Sequence, residues 1–301
     1  MEPIFTGMNR DTKDQFYTKS NISNMCIEYV IETVNYLNSD VFIEPSAGAG
    51  SFSDIMYNTF DIVEAYDIDP KPRKKIKKIS FFDIKIKKNK VYHILGNPPF
   101  GRQSSLAKQF IKHACSFAKS ISFILPKSFR TDTYKAAFDR YFHLEFEIDL
   151  PDNTFEINGI DHRVPCIFQI WIKRDTPRII PKKQVSSGYK FVRPNNENKI
   201  KKQRKKAKED SNIVIPKNTF DNEPDFAIKR AGGGQTCGSL HLNYTNTCCY
   251  PDAFLFVKLD SNINKQKFIK KYGMIDWTAD SNVGAKSISK QRFITEMNSL
   301  L

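Results

Sequence analysis

The amino-acid sequence predicts an α/β protein with a mostly parallel sheet across its first 178 residues. Two observations carry that prediction. Short apolar runs alternate with helical stretches throughout the region. Three of the apolar runs also end in an acidic or amide residue next to a turn, at the strand end where open α/β sheets bind ligands.

The elements follow in order. Met25 to Leu37 reads as a helix with Cys26, Tyr29, Val30, Val34 and Leu37 on one face. Val41 to Ile43 is a short strand that enters a glycine-containing turn, and Ile62 to Tyr66 is the next strand. Val91 to Leu95 is a buried strand running into a Pro-Pro loop. Leu106 to Ala118 is helical, and Ile121 to Leu125 is a strand stopped by Pro126. Thr133 to Tyr141 is a helix. Phe146 to Leu150 and Cys166 to Ile172 are closing strands linked by an Asn158-Gly159 turn signal.

Beyond residue 178 the composition shifts. Arg178 to Asp210 is polar and rich in Lys and Asn, and Lys199 to Lys208 carries seven basic residues. Such a run reads as a solvated linker, a phosphate-contacting segment or a nuclear import signal. From Ile213 onward the pattern is mixed, with a strand at Phe254 to Leu259 and helices at Asn264 to Tyr272 and Lys290 to Leu300. The expected organisation is a principal domain over 1–178, a basic linker over 179–212 and a small α+β module over 213–301. No repeat recurs at a fixed period.

Composition bounds the function. The chain has 301 residues and a net charge of +14, which favours a polyanionic partner such as nucleic acid. A Lys- and Asn-rich proteome gives the same balance without that meaning. No run approaches the ~20 apolar residues of a membrane span. The polar N-terminus does not resemble a signal peptide. The six cysteines include no CxxC pair and read as reduced thiols. The expected location is intracellular, in cytoplasm or nucleoplasm, neither secreted nor membrane-bound.

Three motifs carry the chemistry. Phe42-Ile43-Glu44-Pro45-Ser46-Ala47-Gly48-Ala49-Gly50-Ser51-Phe52 is a strand end, an acid and a small-residue turn. Small residues let a ligand approach the backbone closely. The acid at its mouth suits a cationic ligand with an amino-acid end rather than a pyrophosphate. Ile62 to Pro70 ends in Asp67 and Asp69 about twenty residues after the glycines, where an acid accepts from both hydroxyls of a ribose. Asp67 is the ribose candidate, and Asp69 reads as a helix cap. Ser80-Phe81-Phe82-Asp83 follows as a further strand end, with Asp83 placed to accept from an adenine amine.

The third motif is Ile94-Leu95-Gly96-Asn97-Pro98-Pro99-Phe100-Gly101. The prolines stiffen the backbone after Asn97. The Asn97 amide oxygen and the Pro98 carbonyl are two preset acceptors for the two N–H bonds of an exocyclic amine. Phe100 offers a face on which a planar ring stacks.

In this order the motifs resemble the gamma-class N6-adenine DNA methyltransferases, which use S-adenosylmethionine. The resemblance covers about residues 11 to 178, including Lys13-Asp14-Gln15-Phe16-Tyr17-Thr18 before the glycine turn. It implies a Rossmann-like sheet of seven strands, the last antiparallel, with helices on both faces. It implies a catalytic domain at 1–178 and a target-recognition module at 213–301. Tyr17 and Thr18 are implied to touch the methionine part of the cofactor. Glu44, Pro45, Ala47, Gly48 and Gly50 are implied to line it, Asp67 to hold the ribose, Ile68 to bind the cofactor beside Asp67, and Asp83 and Ile84 to bracket the adenine. Asn97, Pro98, Pro99 and Phe100 are implied to form the target-base pocket, with Asn97 also beside the cofactor. S-adenosylhomocysteine would be the product. No metal, covalent intermediate or dedicated strong base is expected.

Other features have plainer readings. Pro165-Cys166 is the dipeptide of a cytosine carbon-5 nucleophile, but Cys166 opens an apolar strand and reads as a small hydrophobe. Cys237, His241, Cys248 and Cys249 match no common zinc spacing. Gly232-Gly233-Gly234 reads as a flexible turn with a possible phosphate contact. No nuclease motif is present. DNA is the expected substrate. RNA adenine, a protein glutamine amide and a non-catalytic nucleic-acid-binding module are the alternatives, and the joint presence of Glu44, Asp67, Asn97 and Phe100 argues against the last.

Overall fold

The computed structural model describes residues 17–71, 75–157, 160–180, 182–231, 237–242, 251–277 and 288–300. They fall into two compact units, Met1–Ile180 and Pro181–Leu301.

The first unit is built on seven strands: β2 (Val41–Glu44), β3 (Val63–Asp67), β4 (Ile76–Lys78), β5 (Tyr92–Gly96), β6 (Ser120–Pro126), β7 (Phe142–Asp149) and β10 (Cys166–Lys173). Their order is β4-β3-β2-β5-β6-β10-β7. Strands β2 to β6 run parallel, and β10 lies antiparallel between β6 and β7. This is the Rossmann-like, seven-stranded arrangement implied by the family resemblance. Every residue of β6 is buried, as are the first six of β10, so both strands are mostly apolar on both faces, with Ser120, Ser122 and Gln169 as buried polar exceptions. The order reverses between β2 and β5. Helix α2 (Ser53–Thr59) follows β2, and α3 (Ser105–Cys115) follows β5. Right-handed crossovers on either side of the reversal put these helices on opposite faces.

Several elements differ from expectation. Helix α1 spans Ser20–Thr33 rather than Met25 to Leu37. The chain leaves it at Val34 in an extended conformation, and Tyr36 packs edge-on against Phe42 and Phe60. The helix expected over Thr133 to Tyr141 shrinks to α4 (Asp132–Lys135). Here Arg178 competes for carbonyls that a longer helix would use. Its guanidinium donates to the carbonyls of Lys135, Phe138, Asp139 and Phe142 at 2.5 to 3.0 Å. Arg178→Ala therefore strands several acceptors at once and is expected to cost about 3 kcal/mol, read as a shift in denaturant midpoint. Arg178→Lys recovers only part, because an ammonium lacks the fork geometry.

The closing strands are not joined directly. Between them lies a hairpin of β8 (Phe155–Ile157) and β9 (Ile160–His162), and β8 pairs with β1 (Tyr17–Thr18). Asn158 and Gly159, the expected turn, lie outside the described residues. Among the described residues Asp69 caps no helix. Pro70 and Lys71 are not helical, and Asp69 instead pairs with Lys78 at 3.8 Å.

The second unit is a four-stranded antiparallel sheet in the order β11-β14-β12-β13. These strands are β11 (Tyr189–Val192), β12 (Phe226–Lys229), β13 (Leu240–His241) and β14 (Phe254–Leu259). Its core joins Tyr189, Phe226, Val257, Phe268, Phe293 and Met297, drawing on helices α6 (Lys265–Tyr272) and α7 (Lys290–Leu300). Part of the expected linker is folded. Residues 189–192 form β11, and Glu197–Lys206 forms helix α5. Ile200, the one apolar side chain of that helix, is fully buried while most of its neighbours stay exposed.

Candidate active site

Parallel strands bring their C-terminal ends to one edge. Glu44 ends β2, Asp67 ends β3, and Asn97 follows β5. These strands are neighbours, and the order reverses between β2 and β5, where open α/β sheets form a ligand crevice.

The glycine turn is locked to β3. The Ala47 N–H donates to the Tyr66 carbonyl at 2.9 Å. The Gly48 N–H donates to Asp67 Oδ2 at 2.8 Å, and the Asp69 N–H to Asp67 Oδ1 at 2.7 Å. Gly48 sits at φ +50°, which favours glycine. Each Asp67 oxygen accepts one backbone bond, and a carboxylate oxygen has a second lone pair. Asp67 is thus aimed by the backbone and retains acceptor capacity for a diol. Asp67→Ala removes both acceptors and should loosen the turn, measurable as a lower thermal midpoint.

Strand β1 delivers Tyr17 to the same turn. A Cβ at position 48 would lie 3.4 Å from Tyr17 Cε1, and Lys71 Nζ is 6.0 Å from the Tyr17 ring centre. Thr18 beside it is buried. Residues 13–16 of this segment lie outside the described residues.

Glu44 is 2 % exposed, and its Oε2 has no hydrogen-bond partner. Burial pushes its carboxyl up to about 8; Ser53 opposes the rise, while the charges of Asp67 and Asp54 add to it. Gly96 leaves room here, since a Cβ there would come 3.3 Å from Glu44 Cγ. An orphaned, buried carboxylate oxygen beside a small-residue turn fits a ligand that brings a cation. Together with the aimed Asp67, this gives two acceptors at neighbouring strand ends, one suited to a cationic amine and one to a vicinal diol.

The Asn-Pro-Pro-Phe loop is tied to the turn, because Ser46 Oγ donates to the Asn97 carbonyl at 3.0 Å. Asn97 and Pro99 are half-buried and Pro98 is buried. Phe100 is 5 % exposed, so its ring is covered rather than open as a stacking face. Its carbonyl accepts from the N–H groups of Leu106 and Ala107, anchoring the start of α3. Between them the backbone is strained. Gln103 and Ser104 adopt φ of 53° and 57°, a left-handed conformation that costs about 1–2 kcal/mol per non-glycine residue.

Asp83 is not at a strand end. Strand β4 finishes at Lys78, and Asp83 is an exposed residue of the short 3-10 turn Phe81–Asp83, with Ile84 half-buried after it. Ile68 and Phe82 are 71 % and 39 % exposed in the segments following β3 and β4. Ser46, whose hydroxyl ties the turn to Asn97, was not among the expected site residues although it lies in the glycine motif.

No family model and no curated protein sequence matches the chain. Among solved structures it is similar to the 23S rRNA methyltransferase ErmE, at 13% identity over 55% of this chain and 72% of that one, with a TM-score of 0.41. It is similar to TrmN from Thermus thermophilus, at 14% identity over 52% and 49%, with a TM-score of 0.37. It is also similar to the N-methyltransferase NodS from Bradyrhizobium japonicum, at 8% identity over 52% and 96%, with a TM-score of 0.37. Likeness at this level concerns fold, and one fold hosts many substrates.

Cys166 is 1 % exposed, and burial pushes its thiol far up from its ordinary value. Cys237 Sγ donates to the Arg230 carbonyl at 3.4 Å, and His241 Nε2 lies 2.9 Å from Ser239 Oγ. Cys248, Cys249 and Gly232 to Gly234 lie outside the described residues. Among the described residues no group of three His, Cys, Asp or Glu is placed to hold a metal, and no helix is long and apolar enough to cross a membrane.

Proposed function

We propose that the chain transfers a methyl group from S-adenosylmethionine to the N6 amine of adenine in a nucleic-acid strand. The observation that carries this reading is the Ser46–Asn97 hydrogen bond of 3.0 Å, which couples the amine-accepting loop to the glycine turn. The two halves of the reaction are thereby held at adjoining strand ends.

When bound, the cofactor supplies an electrophilic sulfonium methyl. Everything else falls to the chain. Glu44 Oε2 accepts from the ammonium, Asp67 accepts from the ribose hydroxyls, and Ile68, Asp83 and Ile84 flank the adenine end. Tyr17 and Thr18 cover the methionine portion, while Pro45, Ala47 and Gly50 leave the backbone approachable. The Asn97 side-chain oxygen and the Pro98 carbonyl accept the two N–H bonds of the target amine. That pairing draws the nitrogen lone pair out of the ring and orients it, so positioning supplies much of the rate. Pro99 keeps the loop rigid, and Phe100 stacks on the base once its covered face opens.

The target base must leave its stack, at a cost of about a few kcal/mol. The net charge of +14 supports phosphate contacts that offset it. Positive charge does not distinguish DNA from RNA, so RNA stands beside the expected DNA as substrate. The test is transfer of a labelled methyl group to duplex DNA, single-stranded DNA and structured RNA pools. Label in one of these pools is the expected result; label in none contradicts the proposal.

A further inference from the structure

The second unit holds a cavity of about 240 Å³ at one end of its sheet. Its walls come from the end of β11, the start of α5, the residue after β12, the start of β14 and the first residue of α7. It is smaller than the ~300–1,000 Å³ of pockets for drug-sized ligands, so it suits a compact group.

Its charge is unbalanced. Four cationic side chains, Arg193, Lys201, Arg230 and Lys290, face two carboxylates, Glu197 and Asp252. Both carboxylates are engaged by one cation, since Lys201 Nζ lies 2.5 Å from Glu197 and 3.0 Å from Asp252. Among the described residues, Arg193, Arg230 and Lys290 have no carboxylate at ion-pair distance. Arg230 Nε is buried without a hydrogen-bond partner. Lys290 stands at the first position of α7, where the helix dipole disfavours a cation. Its ammonium is 4.9 Å from the centre of the Phe191 ring, and burial followed by the charges of Arg193 and Arg230 holds it below the usual lysine range, against the pull of Glu197.

Four cations against two carboxylates leave an excess of positive charge, and a bound anion removes the cost of that repulsion. The backbone fixes the arrangement, because the Ile288 N–H donates to the Arg230 carbonyl at 2.7 Å and ties the approach to α7 to the end of β12. Phe191 and Phe254 supply apolar wall beside the cations, as a sugar or base attached to the anion requires.

We propose that Arg193, Arg230 and Lys290 form a phosphate-binding pocket that grips one phosphate of a nucleic-acid strand. That the phosphate belongs to a strand rests on the proposed function; the anion site itself rests on the cavity and its charges. The guanidinium groups bond phosphate oxygens directly, and Lys290 adds a point charge.

The test is oligonucleotide binding to the full chain by fluorescence anisotropy across a salt series. Arg193→Gln and Lys290→Gln are each expected to weaken binding about tenfold and to lower the salt slope by about one. Lys205→Gln, on α5 but outside the cavity, removes the same charge and should change affinity less than about twofold. Arg193 is exposed, so its variant remains informative if Lys290→Gln fails to fold. Inorganic phosphate should compete, and chloride at matched ionic strength should not. Loss of binding with the 5′-phosphate assigns the pocket to a strand end; equal binding with and without it assigns the pocket to an internal phosphodiester. The proposal is overturned if Arg193→Gln and Lys290→Gln match Lys205→Gln, or if phosphate and chloride compete equally. Methyl transfer is not read, so a failure of the catalytic reading leaves this test intact.

Discussion

Asn97→Ala is expected to reduce methyl transfer by at least about 1,000-fold while leaving cofactor affinity within about twofold. An aromatic amine is a weak nucleophile, because its lone pair is delocalised into the ring. Removing the Asn97 side-chain oxygen removes one of the two acceptors that make the pair available, and loss of one preorganised polar group of this kind costs about 100- to 1,000-fold in rate. Lost orientation adds to that. The link to the glycine turn survives, because Ser46 donates to the backbone carbonyl of Asn97 and not to its side chain. Single-turnover kinetics and calorimetry on the same preparation separate the two effects. A parallel fall in cofactor affinity would make Asn97 a residue that shapes the turn.

Glu44→Gln is expected to have effects of opposite sign on stability and binding. The carboxyl rises from 4.5 to about 8 on folding, chiefly through burial. A raised carboxyl means that the folded chain binds more protons than the unfolded one between these values. Its stabilising contribution is therefore complete below 4.5 and is lost as pH rises towards and through about 8. Glutamine cannot ionise, so the variant should lack this decline and melt higher than wild type at alkaline pH. It should also bind the cofactor at least about tenfold more weakly, because a neutral amide replaces the anion facing an ammonium. Binding to wild type near neutral pH should release a proton, visible as a dependence of the calorimetric heat on the buffer. A variant with unchanged melting across the pH range would mean that Glu44 already carries its charge at neutral pH.

Much of the first unit was legible because its central strands are buried. Tyr92–Gly96, Ser120–Pro126 and Cys166–Lys173 are buried, mostly apolar segments. The gathering of Glu44, Asp67 and Asn97 at neighbouring strand ends was legible for a different reason: acid, glycine turn, acid and Asn-Pro-Pro-Phe each follow an apolar run and mark its C-terminal end. Edge elements escaped. Ile76–Lys78 has two exposed lysines and one buried residue, so nothing in it alternates like a half-buried strand. Helix α5 was hidden in a lysine run because a single buried Ile200 marks its inner side. The truncation of α4 depends on Arg178, whose bonds span 36 to 43 residues of chain. The left-handed pair Gln103 and Ser104 carries no residue signal, since neither position is glycine. Burial of Phe100 depends on packing that no motif encodes.

The identity of the methylated nucleoside tests the proposed reaction most directly. The polynucleotide that accepts label from the wild-type chain is digested to nucleosides and analysed by mass spectrometry against standards. Methyl is expected on the N6 amine of adenine. Methyl on a ring nitrogen, on cytosine carbon-5 or on the ribose would contradict it, because none of these positions presents two N–H bonds to Asn97 and Pro98.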